Sequence, residues 1–313
     1  MFKYVLKRVL ISVLTVLIIL AVLFTMLHSM PGSPFNDEKI TAVQRANLEA
    51  KYGLDKPLPV QFVNYLKAML SGDFGVSYVI QKNMPIASLL RARIMVSIRI
   101  GVQAVALGTL IGLLMGIVAA MKRNSFLDTF ATVVSVIGVA FPSCVCPIAM
   151  SFFIGFPLGW LPLLYSTADA ARSTVMPTIS LSMFSMATVA RFARTEMVEV
   201  MGSDYMLLAD SKGISSFRLL GVHGLRNALI PIVTVLAPLT VELMTGSLVV
   251  EQIFAIPGIG SLLVSAIQFN DYNVVLAVVF VYSIMFISVM LIVDILYGVI
   301  DPRIRLAKED AST

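Results

Sequence analysis

The chain has 313 residues, of which 58% are hydrophobic and only 13% charged, with a formal net charge of +5. Soluble domains carry roughly 25% charged residues, so this balance excludes an ordinary soluble enzyme or binding module and points to a protein whose solvent is lipid. The positive balance reflects an uneven placement of Lys and Arg along the chain rather than a nucleic-acid surface.

A bilayer core about 30 Å thick takes about 20 apolar residues per helix. Backbone polar groups find no water there, so the spanning segments must be helices. Six stretches qualify in chain order: 9–28, 96–121, 129–156, 175–193, 228–250 and 274–299. The first follows a basic start, Lys3, Lys7 and Arg8, as a signal peptide would. Its apolar run is longer than the roughly 7–15 residues of a signal core, and Leu27-His28-Ser29-Met30 lacks a small-x-small cleavage site, so residues 1–28 read as an N-terminus with a retained helix.

Residues 29–95 form a long external segment between the first two spans. Pro31-Gly32-Ser33-Pro34 ends the first helix. Asn36 is placed to cap a helix that runs to Lys51 and stops at Gly53. A second helix is expected from Pro59, with Phe62, Leu66, Met69 and Leu70 on one face and its end at Gly72-Asp73-Phe74-Gly75. A lid over the outer mouth and a solvated connector packed on the helix ends both fit this pattern.

Residues 96–300 hold five spans. Pro142 and Pro147 in the third and Pro231 and Pro238 in the fifth predict kinks, which serve either a gate or ordinary packing. Cys144 and Cys146 point to nearly opposite faces of a helix, which disfavours a disulfide; they are small apolar filler or a soft-metal pair. Gln103 is a helix–helix hydrogen bonder, and Asp294 lies within reach of Arg303 or the headgroups. Glu242 sits in the middle of the fifth span, where a charge costs at least about 2.5–3.5 kcal/mol. It is expected to face a wet cavity or another subunit. There it would meet the amino group of a cationic substrate, hydrogen-bond across a helix interface, or be protonated by desolvation.

Lys122 and Arg123 follow the second span, Arg191, Arg194, Lys212, Arg218 and Arg226 lie between the fourth and fifth, and Arg303, Arg305 and Lys308 occupy the tail 301–313. No Lys or Arg stands between Asn227 and Pro302, so both termini are expected in the cytoplasm. The cytoplasmic segment 195–226 is longer than a connection needs and alternates polar and apolar positions like a helix around Ala209-Asp210-Ser211-Lys212-Gly213. That pattern predicts a docking element.

The chain has no Gly-rich phosphate loop. Its two histidines, His28 and His223, stand far apart, which leaves no zinc site and no histidine-based triad. No metal, cofactor or nucleic acid is expected, and any energy source must be another polypeptide.

The cytoplasmic segment resembles the coupling loop of binding-protein-dependent ABC importer permeases, with the pattern Glu-Ala-Ala-x3-Gly-x9-Ile-x-Leu-Pro. Ala209, Gly213 and Leu225 match it, while Leu207, Leu208, His223 and Arg226 depart from it. Further stretches are similar to the oligopeptide/dipeptide permease branch, in particular its subunit with the long first external loop. They are Pro31-Gly32-Ser33-Pro34, Glu49 to Leu54, Gly72-Asp73-Phe74-Gly75, the run Gly246 to Gly260, and Val293-Asp294 through Asp301-Pro302-Arg303.

The resemblance implies an all-α integral membrane protein of the bacterial cell membrane, with six transmembrane helices in a type I ABC importer permease fold. It implies a second homologous permease completing the translocation path, one or two cytosolic ATP-binding subunits, an external peptide-binding protein, and a peptide as cargo. Leu208 and Ala209 would then be buried contacts with an ATPase, Asp210, Lys212 and Arg218 a polar rim, and Gly213 would end the helix or allow close backbone approach. Glu251, Pro257, Gly258 and Gly260 would form a re-entrant outer-gate element, and Glu242 and Glu251 would face the path or an interface. Alternative cargoes in this branch are dipeptides, nickel chelates and haem. A proton-coupled transporter using Glu242 is disfavoured by the single intramembrane acid and the lack of inverted repeats. A membrane enzyme would need clustered acids or a nucleophile at a membrane face.

Overall fold

The computed structural model of the chain describes residues 2–29, 53, 55–215, 218–245 and 248–300. The helix expected from Asn36 to Lys51, Gly246 and the tail 301–313 lie outside these residues. Among the described residues every named element is helical, and the single antiparallel bridge joins Val76 to Pro85. The helices are α1 Phe2–Ser29, α2 Leu58–Leu70, α3 Ile86–Met121, α4 Phe126–Ala140 and α5 Val145–Met150. The last continues through a π-helical turn, Ser151–Gly155, and a helical turn, Phe156–Leu158. Then come α6 Val175–Met201, α7 Asp204–Ser211, a π-helix at Leu219–Leu225, α8 Arg226–Met244, α9 Leu248–Ile253, α10 Ile259–Gln268 and α11 Tyr272–Ile300.

Among the described residues five helices are long and apolar enough to cross a membrane, and six if the bent pair Phe126–Ala140 and Val145–Leu158 forms one span. The expected third span, 129–156, is therefore not a gently kinked rod: its halves meet at 103°. Pro142 explains the break. It lacks an N–H and its ring crowds the preceding residue out of the helical region, and Phe141 accordingly adopts φ −72°, ψ 136°. Pro147, in the first turn of α5, is tolerated because N–H groups there have no helical partner anyway. Pro231 and Pro238 lie inside α8 without ending it.

The chain divides into two compact units. In the first, residues 1–96 and 257–287, α1 buries a stripe of Val16, Leu20, Phe24 and Leu27 at helical spacing while Leu10, Ile11, Leu14, Ile18 and Val22 stay exposed. That outward face suits lipid. Phe62 and Leu66 of α2 pack with Val16, Leu20 and Met69 as the periodicity predicts. Leu70 does not. It is 85% exposed, because it ends the helix where the backbone turns away at Ser71 and Gly72. Burial pushes the Tyr65 phenol of α2 above its ordinary range. His28 holds α2 to the end of α1, its Nε2 lying 3.1 Å from Gln61 Oε1.

In the second unit, residues 97–256 and 288–313, α6 is the central helix, with 13 of its residues buried. Three glycines of α3 at four-residue spacing lie against it. A Cβ at Gly108 would meet Ser182 O at 2.7 Å, one at Gly112 Met186 O at 2.6 Å, and one at Gly116 Ala190 O at 2.6 Å. Small residues at this spacing let two membrane helices approach backbone to backbone. On its other sides α6 takes Gly138 of α4 against Ala187 and Ile232 of α8 against Val189 and Ala193. Gln103 of α3 accepts a hydrogen bond from Thr178 of α6 at 3.2 Å, the helix–helix role expected for it. Cys144 and Cys146 are free thiols.

Candidate functional site

The segment expected to dock is a helix, α7, standing on the end of α6. Gly202 closes α6 and Ser203, extended at φ −79°, ψ 151°, starts α7. Met206 and Ala209, three residues apart, are buried, and Tyr205 accepts a hydrogen bond from Asn227 of α8 at 3.0 Å. The helix ends in a Schellman motif. Gly213 takes φ +74°, its N–H donates to Asp210 O at 2.8 Å, and the N–H of Ile214 reaches back to Ala209 O at 3.4 Å. This geometry is that of a helix-ending glycine. A Cβ there would meet nothing within 4 Å, so close packing within the chain does not require the glycine; the left-handed backbone does.

The seven residues expected to couple divide into two sets. Leu208 is 57% exposed, and Asp210, Lys212, Gly213 and Arg218 are exposed with it. Ala209 and Leu225 turn inward. Ala209 shares the buried face of Met206, and Leu225 packs beside the cluster of Ala120, Met197 and Ala228. Both therefore hold α7 and the π-helix to their own chain. Leu207, 59% exposed, stands beside Leu208 on the outward side of α7.

Glu251 stands on α9, just before the turn expected at the outer gate. Its carboxylate is 4% exposed and accepts a hydrogen bond from Ser97 Oγ of α3 at 2.9 Å. This places Glu251 at a helix–helix contact rather than on an open surface. The chain then turns through a second Schellman motif, with Ile256 N–H donating to Glu251 O at 2.8 Å and Ala255 N–H to Gln252 O at 3.3 Å. Here the left-handed position belongs to Ala255, at φ +50°. A Cβ in that region costs roughly 1–2 kcal/mol. Ala255→Gly is therefore expected to stabilise the purified protein by about 0.5–1 kcal/mol after the entropy of the added glycine is subtracted, read as a raised thermal midpoint; an unchanged or lowered midpoint refutes the strain. Pro257 is exposed, while Gly258 and Gly260 are buried at the start of α10. Glu242 is exposed on α8.

Two family models cover this architecture. Residues 112–306 match the binding-protein-dependent transport system inner membrane component and residues 1–86 its N-terminal counterpart. The chain belongs to this transport family. A dipeptide transport system permease protein, DppB of Lactococcus lactis, is 42% identical over 306 residues, covering 98% of this chain and all of the relative. An oligopeptide transport system permease protein, OppB of Haemophilus influenzae, is 36% identical over 97% of this chain and all of its own. A glutathione transport system permease protein, GsiC of Salmonella typhimurium, is 36% identical over 97% of this chain and 99% of its own. Among solved structures, inward-facing MetNI, a methionine ABC transporter, superposes with a TM-score of 0.56 at 17% identity over 68% of this chain and 96% of its own. That likeness shows a shared fold. Like other members of the family, the protein is a multi-pass integral protein of the inner membrane.

Two polar clusters in this family member escaped the sequence reading. Asp128, at the start of α4, is held by Arg194 of α6 in a bidentate pair, Nε at 2.5 Å and Nη2 at 2.9 Å, and by the Asn124 N–H at 2.9 Å. Asp271, fully buried, accepts from Ser77 Oγ at 2.5 Å and from the N–H groups of Tyr78, Val79 and Ile80 at 3.0–3.2 Å. The sequence separations are 66 and 194 residues. Helix periodicity cannot reach so far; the one local hint was an acid standing at a helix start.

Proposed function

We propose that this chain is the permease subunit of an ABC importer for short peptides, forming half of the translocation path with a second homologous permease. Both termini lie in the cytoplasm, one or two kinds of cytosolic ATP-binding subunit hydrolyse ATP, and an external peptide-binding protein delivers the cargo. The chain itself catalyses nothing. Support for peptide cargo comes from the relatives, whose names specify dipeptide, oligopeptide and glutathione transport.

The observation that carries the reading is the two-sidedness of α7. Met206 and Ala209 lock the helix to its own chain, so a push on it moves α6 and α8, while Leu207 and Leu208 present apolar surface rimmed by Asp210 and Lys212. An apolar centre with a polar rim is the anatomy of a protein interface. An ATPase that closes on this surface would transmit its motion to the spans through α6, whose end carries α7.

Gly213→Val tests the coupling. A β-branched residue cannot hold φ +74° without strain, so the end of α7 unwinds while the spans, far from the change, still insert. Membrane levels are expected to match the wild type, with ATP-driven peptide uptake reduced about tenfold or more and Gly213→Asn, which tolerates the left-handed region, retaining most uptake. Full uptake by Gly213→Val would remove the coupling role from α7.

A further inference from the structure

We propose that a cleft between α4 and α6 binds the phosphate of an anionic phospholipid. It is a cavity of about 80 Å³, lined by Ala119, Ala131, Val136 and Ala190 on its apolar side and by Thr132, Arg191, Arg194 and Thr195 on its polar side. The dimension suits a phosphate group and excludes a peptide. Arg194 is committed to Asp128, but Arg191 is exposed, and Arg123 stands within electrostatic reach of the same Asp128. Two guanidinium groups, those of Arg194 and Arg123, thus act on the Asp128 carboxylate, and the exposed Arg191 in the cleft lining adds a further cation, which leaves the mouth positive. Glu196 and Glu199 of α6 do not line it.

Charge alone would suit any anion. The apolar wall decides for a lipid, because it continues onto the outward face of α4, where Phe130, Val133, Val136 and Ile137 are 42–58% exposed. A phosphodiester seated between Arg191 and Thr132 therefore has its acyl chains alongside that stripe, in the leaflet at the end of the helices that also carries Lys122 and Arg123. Basic pockets between membrane helices hold acidic headgroups in this manner, each exposed cation contributing about 1 kcal/mol.

The test uses the full chain, purified with any subunits that accompany it, in nanodiscs of phosphatidylcholine alone or mixed with phosphatidylglycerol. Lipid retained after transfer to detergent is counted by native mass spectrometry. Phosphatidylglycerol is expected to be retained over phosphatidylcholine, Arg191→Gln to weaken that retention about fivefold, and Arg191→Lys to keep most of it. Thr132→Val, a surface change that preserves side-chain volume, serves as a second variant and is expected to weaken retention less. Equal retention of the two lipids, or unchanged phosphatidylglycerol retention in Arg191→Gln with its thermal midpoint intact, overturns the proposal. Inorganic phosphate is added to the phosphatidylcholine discs as a separate arm. If it stabilises the wild type as strongly as phosphatidylglycerol does, and Arg191→Gln removes that effect, the cleft is a site for free anions and the lipid assignment falls.

Discussion

Replacing Gly112 with leucine is expected to abolish folded protein in the membrane, while Gly202→Ala leaves both yield and thermal midpoint unchanged. A Cβ at Gly112 would stand 2.6 Å from Met186 O, 2.9 Å from Val189 Cβ and 3.1 Å from Ala190 N, all on α6. Two of these atoms are backbone, so no rotamer change can relieve the clash; α3 and α6 must separate. Because α6 is the helix on which the second unit packs, separation also disturbs the contacts of α4 and α8. Overpacking of a tight core costs about 1–3 kcal/mol and more where backbone must move, against a total stability of only about 5–15 kcal/mol. Gly112→Ala, with a single added carbon, is expected to lose about 1–3 kcal/mol and remain folded. At Gly202 the nearest neighbours of a Cβ are carbonyl oxygens at 3.6 Å, ordinary contact. Size-exclusion profiles and thermal melts of the detergent-purified variants decide the matter. A Gly112→Leu protein with wild-type profile and midpoint would show that α3 and α6 do not meet at this face.

The hydropathy of the chain showed where the spans lie, because the bilayer demands length and apolarity from each of them. The same logic set their ends poorly. The span expected from residue 96 belongs to a helix that begins at Ile86, since nothing stops a helix from continuing into water past Arg91 and Arg93. Pro142 signalled a bend, but its size depended on what surrounds α5, which no local pattern contains. In α7 the glycine at 213 was legible as a helix stop. The inward turn of Ala209 was not, for an alanine suits either side of a short helix and only the placement of α7 on α6 decides. The approach of α6 to the glycines at 108, 112 and 116 is likewise a contact between distant segments that no local pattern contains.

This division bears on function. A permease must bend at some places and transmit force at others, and both depend on contacts between elements distant in sequence. The buried Glu251 is an example. An acid beside an expected outer-gate turn reads as a surface contact for partner or path, yet its carboxylate takes a hydrogen bond from Ser97 of α3. It ties α9 to the long helix that also carries the glycine ridge.

Asp271→Ala is expected to release the loop of residues 76–81 from its place. One carboxylate there gathers the hydroxyl of Ser77 and three consecutive backbone N–H groups, those of Tyr78, Val79 and Ile80. Hydrogen bonds to a charged acceptor contribute about 1.5–3 kcal/mol each, and every buried donor left unpaired costs about 1–3 kcal/mol. Even with water entering the gap, the loss amounts to about 3 kcal/mol or more, equivalent to roughly a hundredfold rise in local opening. Asp271→Asn separates charge from shape. Its oxygen can occupy the position that receives Ser77, Val79 and Ile80, but its amide then faces the Tyr78 N–H, donor against donor. An intermediate loss of about 1–2 kcal/mol follows. Hydrogen exchange at Tyr78, Val79 and Ile80 reads the effect directly. Fast exchange is expected in Asp271→Ala, intermediate exchange in Asp271→Asn, and protection in the wild type. Wild-type protection in Asp271→Ala would mean that the loop is held by the bridge between Val76 and Pro85 and that the carboxylate is a passenger.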